Sequence, residues 1–315
     1  MSKETESEDS DATASERKPK STALKTKRGR PNRDKQPNKL QGSNRKVSPR
    51  PEVLEDLEDL GILPTTTYIK NLKGKRKIVG LTAYDTILGA AVSAANVDFI
   101  LVGDSLGTTL LGYDTTISVT LEDMIRHTAA VRRSNPKCLL VADLPFGEAS
   151  FSFDRLLESS RKLMQEGGAD AVKIEGGRDV ADDVEKLVAT GIPVLGHIGL
   201  LPQTVKAIGG YRKFGETREE AENIYTDAIT LEEAGCFAVI GEMLHEQVAT
   251  ELSKQILPPL IGIGSGTGCD GQILVTTDLL GWSNGMVPKF VKPYANLNKV
   301  VADSLNKYVR DIRSN

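Results

Sequence analysis

The chain has 315 residues, 39% of them hydrophobic and 26% charged, with a formal net charge of -3, the make-up of an ordinary soluble protein with one large domain. No stretch approaches the roughly 18 uninterrupted apolar residues a transmembrane helix needs, and the N-terminus, acidic from Glu4 to Asp11, has neither a secretory nor a transit layout. Three widely spaced cysteines, Cys138, Cys236 and Cys269, with no CxxC or CxxH pair, argue against a disulfide scaffold or structural zinc and point to a reducing, cytoplasmic home.

The net charge hides an asymmetry. Residues 1–50 carry 14 Lys+Arg against 7 Asp+Glu, while the remainder carries 26 against 36. The segment has no aromatic residue and few aliphatic ones, too little apolar surface to offset roughly 1–2 kcal/mol of backbone entropy per residue. It reads as a disordered, basic tail, solvated along its length. Within it, Lys27-Arg28-Gly29-Arg30-Pro31 resembles the core of an AT-hook, so weak electrostatic contact with nucleic acid is the alternative.

Residues 51–315 read as the folded domain. A short helical stretch is expected over Pro51–Leu60. From Lys77 onward, short β-rich runs alternate with longer helical patterns, the signature of βαβ units. Strands are expected at Ile78–Thr82, Phe99–Gly103, Leu139–Ala142, Ala171–Ile174, Val194–Gly196, Ala238–Gly241 and Leu260–Ile263. Helices are expected at Leu121–Arg133, Asp154–Glu166, Val180–Thr190, Arg218–Ala234 and Glu246–Lys254. The run Gly271–Val275 fits either an eighth strand or the opening of a helix. About 240 residues of this alternation suit a (β/α)8 barrel better than an open sheet. No GxGxxG follows the first strand, which counts against a dinucleotide-binding fold.

Barrels of this type do their chemistry at the C-terminal ends of the strands. Those ends are polar here. They carry Asp85, Asp104-Ser105, Asp143, Lys173 with Glu175, His197 and Glu242 in turn. A single acid there could be a helix cap, as Asp85 could. Acids after five of the first six strands would converge on one mouth and repel one another, unless a cation joins them. With no matching Cys/His set, a hard ion with oxygen ligands is expected, Mg2+ foremost. Such an ion suits a 2-oxo acid held by its keto and carboxylate oxygens, and it would favour loss of a proton from the neighbouring carbon. Lys173 would pair with the substrate carboxylate or hold one of the acids, and a carboxylate free of metal would take the proton. His197 could be a ligand or a hydrogen-bond donor.

Several longer motifs then occur in one order: Thr82-Ala83-Tyr84-Asp85, Val102-Gly103-Asp104-Ser105-Leu106-Gly107, Val141-Ala142-Asp143-Leu144-Pro145-Phe146-Gly147 and Val172-Lys173-Ile174-Glu175-Gly176-Gly177. Gly196-His197-Ile198-Gly199-Leu200, Gly262-Ile263-Gly264-Ser265-Gly266, Cys269-Asp270-Gly271-Gln272 and Pro288-Lys289-Phe290-Val291-Lys292 complete the set. Together they resemble the ketopantoate hydroxymethyltransferase family from about Thr66 to Arg310, leaving the tail outside. The resemblance implies a barrel of the phosphoenolpyruvate/pyruvate-like superfamily. It implies one Mg2+ per subunit at Asp104, Asp143 and Glu175, and 2-oxo acid contacts from Asp104, Ser105, Asp143 and Lys173. His197 would line the pocket, and Glu242 would be the base. The implied reaction joins 2-oxoisovalerate to the one-carbon unit of methylenetetrahydrofolate, giving ketopantoate on the route to pantothenate and coenzyme A. Cytoplasmic homo-oligomers, commonly decamers, are implied as well.

Three departures stand out. Leu201 replaces a Thr before Pro202-Gln203, Phe214 replaces a Gln, and Gly241 precedes Glu242 where the family reads closer to Val-Leu-Glu. They bear on the folate side and on the aim of Glu242. Two rivals are open. A phosphoenolpyruvate mutase or isocitrate lyase relative would need a catalytic cysteine loop after strand three, where this chain has Pro145-Phe146-Gly147-Glu148-Ala149. An inactive barrel with a nucleic-acid-binding tail would not be expected to keep every strand-end carboxylate.

Overall fold

The computed structural model describes residues 65–284 and 287–314; the tail and the helix expected at Pro51–Leu60 lie outside the described residues. A first helix, α1 (Thr66–Leu72), leads into β1 (Ile78–Thr82), α2 (Thr86–Ala94), β2 (Phe99–Val102), α3 (Leu106–Thr109), α4 (Leu121–Arg133) and β3 (Leu139–Asp143). There follow α5 (Phe153–Gln165), β4 (Ala171–Glu175), α6 (Ala181–Ala189), β5 (Val194–Gly199), a 3-10 turn at Pro202–Thr204, α7 (Val205–Ile208), α8 (Arg218–Glu233) and β6 (Ala238–Glu242). The chain ends with α9 (Glu246–Gln255), β7 (Leu260–Ile263), β8 (Gly271–Leu274), α10 (Thr276–Leu279) and α11 (Leu297–Ser314). The eight strands are parallel and close into a barrel in sequence order. The ambiguous run at 271 is a strand because its backbone finds partners on both sides: Gly271 sits opposite Ile78 of β1 and Ile261 of β7.

Strand period and strand length together build the site. Alternate residues point into the barrel, and Phe99, Leu101, Leu139, Val141, Ala171, Leu195, Ala238, Ile240 and Ile261 form one buried apolar cluster. Continuing the same parity toward the C-terminal ends gives Asp143, Lys173, Glu175, His197 and Glu242. The inward face is therefore apolar below and ionisable above. Four strands, β3 to β6, also run further than the sequence pattern suggests, while β2 stops at Val102, one residue before the expected Gly103. Asp143, Glu175 and Glu242 are final strand residues rather than loop residues, since the ladder continues through Asp143 opposite Lys173, Glu175 opposite His197 and Gly199 opposite Glu242.

The lower end is closed by α1. Its Ile69 and Leu72 join the inner cluster, and the Lys73 ammonium at its end donates to the carbonyls of Ser253, Ile256 and Pro258 while pairing with Asp270. Outside the strands, the outward residues and the apolar stripes of α2, α4, α5, α6, α8 and α9 make the larger core. The helices start where polar caps allow. Thr120 and Asp123 form a reciprocal capping box on α4, and Ser152 and Thr217 cap α5 and α8. All three cysteines are buried and unpaired. The last helix differs from the rest: α11 is rooted by Leu297 and Asn298 N–H groups on the carbonyls of Leu280 and Gly281, yet buries none of its residues.

Candidate active site

The register of β3, β4 and β5 sets the centre of the site. Lys173, buried at the heart of β4, donates to Asp143 Oδ1 at 2.5 Å and lies 3.6 Å from Glu175 Oε1. The other oxygen of Asp143 accepts the Asp104 backbone N–H at 3.1 Å. This bond ties the loop after β2 to β3 and carries Asp104 into the same space. Glu175 sits between Lys173 and His197, whose Nδ1 is 3.5 Å from Glu175 Oε1 and whose Nε2 is 3.2 Å from Glu242 Oε2. These are ion-pair distances without hydrogen-bond alignment, and both ring nitrogens and Glu175 Oε1 are buried with no hydrogen-bond partner. Ser105 faces Tyr84, their hydroxyl oxygens 2.9 Å apart.

The electrostatics follow from crowding in a dry place. Burial, then the neighbouring Asp143 and Glu175 charges, hold the Asp104 carboxyl well above the usual carboxylate range. Burial also raises Asp143, although Lys173 pulls the other way. Glu175 ends below its ordinary value, because Lys173 and His197 outweigh its burial. For Lys173 the three carboxylates outweigh desolvation and hold the ammonium charged. Burial and Lys173 disfavour an imidazolium at His197, but Glu175 and Glu242 prevail and carry it up to about 9. Four acids, Asp104, Asp143, Glu175 and Glu242, share one buried ammonium and one imidazole.

That surplus bears on whether a divalent cation fits. The donors are all hard oxygens, and Glu175 Oε1 is a buried acceptor with nothing to accept from, so the chemistry suits a hard cation. Among the described residues, no three or more His, Cys, Asp or Glu side chains are gathered into a ready-made cage. Instead Lys173 lies against Asp143 and Gln203 against Asp104. Asp104, Asp143 and Glu175 do share one site, which different cavities for each would have excluded.

A profile of the family described as ketopantoate hydroxymethyltransferase matches residues 64–315. The chain belongs to the ketopantoate hydroxymethyltransferase family. It is 45% identical over 253 residues to the 3-methyl-2-oxobutanoate hydroxymethyltransferase of Halalkalibacterium halodurans, covering 80% of this chain and 91% of that one. A second relative of the same name, from Thermoanaerobacter sp., is 46% identical over 249 residues, covering 79% and 91%. Among solved structures, the phosphoenolpyruvate phosphomutase of Streptomyces platensis subsp. rosaceus superposes with a TM-score of 0.53 at 12% identity, covering 78% of this chain and 88% of that one. A 2,3-dimethylmalate lyase of the PEP mutase/isocitrate lyase superfamily gives 0.51 at 15% identity, covering 81% and 89%. At such identities the likeness speaks for the barrel fold alone. The family match sets aside the lyase and mutase rival.

Two of the three departures from the ketopantoate hydroxymethyltransferase pattern, Gly241 and Phe214, have local explanations, and nothing in the structure explains Leu201. Gly241 faces outward, where a Cβ would stand 2.8 Å from Leu244 Cδ1 and 3.3 Å from Leu260 Cδ1; its small size makes room for Leu244 in the outer core, while Glu242 faces inward. The chain turns sharply just beyond, at Met243, in the left-handed region with φ 52°. Phe214 is anchored to this turn by its backbone, donating to Met243 O at 2.8 Å and accepting from His245 N at 2.7 Å, and Arg212 stacks over its ring at 4.0 Å. Sequence reasoning missed three residues at the mouth. Gln203 bonds to Asp104 and Glu175, Tyr84 backs Ser105, and the Tyr211 phenol lies in the field of Glu242, Asp104 and Glu175. Tyr84 and Gln203 lie in the loops after β1 and β5, within four residues of the strand ends, and that position was the available signal.

Proposed function

We propose that this protein transfers the one-carbon unit of methylenetetrahydrofolate to 2-oxoisovalerate (3-methyl-2-oxobutanoate), as a hydroxymethyl group, to give ketopantoate. The observation that carries the reading is the match across four-fifths of the chain to enzymes named for this transfer. The strand-end carboxylates supply a site in keeping with it.

In this reading Asp104 and Asp143, with Glu175 behind them, hold a divalent cation, Mg2+ by its preference for hard oxygens. When bound, such a cation supplies Lewis acidity to a keto oxygen and so acidifies the neighbouring C–H. Lys173 neutralises part of the acid cluster and offers its ammonium to the substrate carboxylate, with the Ser105 hydroxyl beside it. Glu242 is the base. Its carboxylate is the most open of the four, at 16% exposed against 3% for Glu175 and 2% for Asp143. It keeps one oxygen against His197 and takes the C3 proton of the oxo acid. His197 then sits between the metal-side acid and the base, and fixes their spacing.

The test is an assay of the full chain with 2-oxoisovalerate, methylenetetrahydrofolate and Mg2+, with product identified by mass. Absence of ketopantoate under those conditions sinks the proposal. Glu242→Gln should retain 2-oxoisovalerate binding but lower C3 proton exchange with deuterated water by a factor on the order of 100 or more, the usual scale for losing a general base. Exchange at the parent rate would remove Glu242 from that role.

We further infer a homo-oligomer, decameric by the family resemblance. The support is α11, whose Val301, Leu305, Tyr308 and Ile312 line one exposed face at helical spacing, with none of its residues buried. A cytoplasmic home agrees with three unpaired thiols, and no described helix is long and apolar enough to cross a membrane.

A further inference from the structure

The ends of β2, β3, β4 and β5 meet at one uncharged residue. Gln203 sits in the 3-10 turn that follows β5. Its backbone N–H donates to Glu175 Oε2 at 3.1 Å. Its side-chain nitrogen donates to Asp104 Oδ2 at 2.9 Å and to the carbonyl of Leu144, directly after Asp143, also at 2.9 Å. The amide can be oriented only one way. Turned over, its oxygen would face a carboxylate oxygen and a carbonyl, two acceptors with no hydrogen between them. Both protons of the NH2 group are therefore committed.

These bonds decide which oxygens remain for anything else. On Asp104, Oδ2 is occupied and Oδ1 has no protein donor among the described residues. On Glu175, Oε2 is occupied by the Gln203 backbone, while Oε1 is buried without a hydrogen-bond partner. A single residue thus holds two of the three acids by one oxygen each and leaves the other oxygen of each without a hydrogen bond, that of Glu175 lying 3.6 Å from the Lys173 ammonium and 3.5 Å from His197 Nδ1. The Leu144 bond fixes the donor itself, so the amide does not swing with the carboxylate it holds.

We propose that Gln203 is a positioning residue, which sets the orientation of Asp104 and Glu175 toward a bound cation and 2-oxo acid. The inference rests on the hydroxymethyltransferase reading of the site, and it assigns Gln203 no contact with the reacting atoms. A neighbour that orients a metal-binding side chain is worth roughly 10–100-fold in metal affinity or activity. The backbone N–H contact to Glu175 survives side-chain replacement, so the amide's share falls on Asp104.

The test compares the full chain with its Gln203→Leu variant, which keeps the volume and removes both donors. Three quantities are read: Mn2+ affinity by the free-ion EPR signal, KM for 2-oxoisovalerate, and C3 proton exchange into deuterated water. Mn2+ affinity about tenfold weaker, a raised KM and slower exchange, with a thermal midpoint near that of the parent, are the results expected. A lowered midpoint with parental Mn2+ affinity and KM below it would assign Gln203 to packing and overturn the proposal. Should Gln203→Leu fail to fold, Gln203→Asn is read in its place: its amide is one methylene too short to hold Asp104 and Leu144 together, so the same tenfold weakening is expected, and parental affinity overturns the proposal. A parent chain that makes no ketopantoate counts against the proposed function. A parent that makes it, beside a variant unchanged in all three quantities, counts against Gln203 alone.

Discussion

Lys173 carries the electrostatic burden of the site. It is a buried ammonium, and burial would drive off its proton were Asp143, Glu175 and Asp104 not around it. Breaking a buried pair by removing one partner costs about 3–5 kcal/mol, most of it the penalty of the stranded charge. Lys173→Met in metal-free buffer should lower the free energy of urea unfolding by that order, and a loss below about 1 kcal/mol would mean the acids had already been neutralised by protonation. Asp104→Ala and Asp143→Ala probe the complementary role, and each should weaken Mg2+ binding at least tenfold by calorimetry. At this scale the charged positions were legible in the sequence, because ionisable side chains at successive strand ends are hard to explain by packing. Gln203 and Tyr84 were not. An amide or a phenol in a turn is unremarkable until its partners are known, and those partners lie on other strands.

Each element is held by small local devices whose loss should be measurable singly. The loop after β3 is clipped to α5 by Glu148, which accepts two hydrogen bonds from Arg155 at 2.6 Å and one from Ser159. Burial alone would raise the Glu148 carboxyl, but Arg155 and Ser159 hold it below its ordinary value. A depressed folded value means the clip contributes fully above the unfolded value of about 4.3 and fades as pH falls through the lower folded value. Glu148→Gln should therefore flatten the acid limb of the stability curve and leave its shape above pH 6 unchanged. Thr120→Ala removes one half of the α4 capping box and should cost about 1 kcal/mol in the same unfolding experiment. Sequence pattern located the helices α4, α5, α6, α8 and α9 closely, because their apolar stripes repeat with helical period. It left β8 undecided, since a short apolar run has no period to read and only its neighbours β1 and β7 make it a strand. The ends of β3, β4, β5 and β6 were read short for a related reason: Asp, Glu and Gly look like loop residues locally, and only the ladder shows otherwise.

For the whole molecule, barrel closure was legible from alternation alone, but the packing of its last helix was not. The pattern Val301, Leu305, Tyr308, Ile312 is that of a buried face, yet among the described residues nothing buries it. Leu305→Glu together with Tyr308→Glu should reduce the mass measured by light scattering while leaving circular dichroism intact. A parent chain that is monomeric at micromolar concentration would remove the oligomer from the account.

The three thiols lie just before the starts of β3, β6 and β8, all sealed from solvent, with burial pushing Cys236 up to about 12 and Cys138 and Cys269 up to about 11. A thiolate is the form that reacts, so none can be labelled while the strands stay closed. Nature has in effect embedded three chemical clocks in the barrel: the rate at which an aromatic disulfide reagent colours a solution of the intact enzyme counts openings of the fold. Substrate or Mg2+ that tightens the upper rim should slow that colour change.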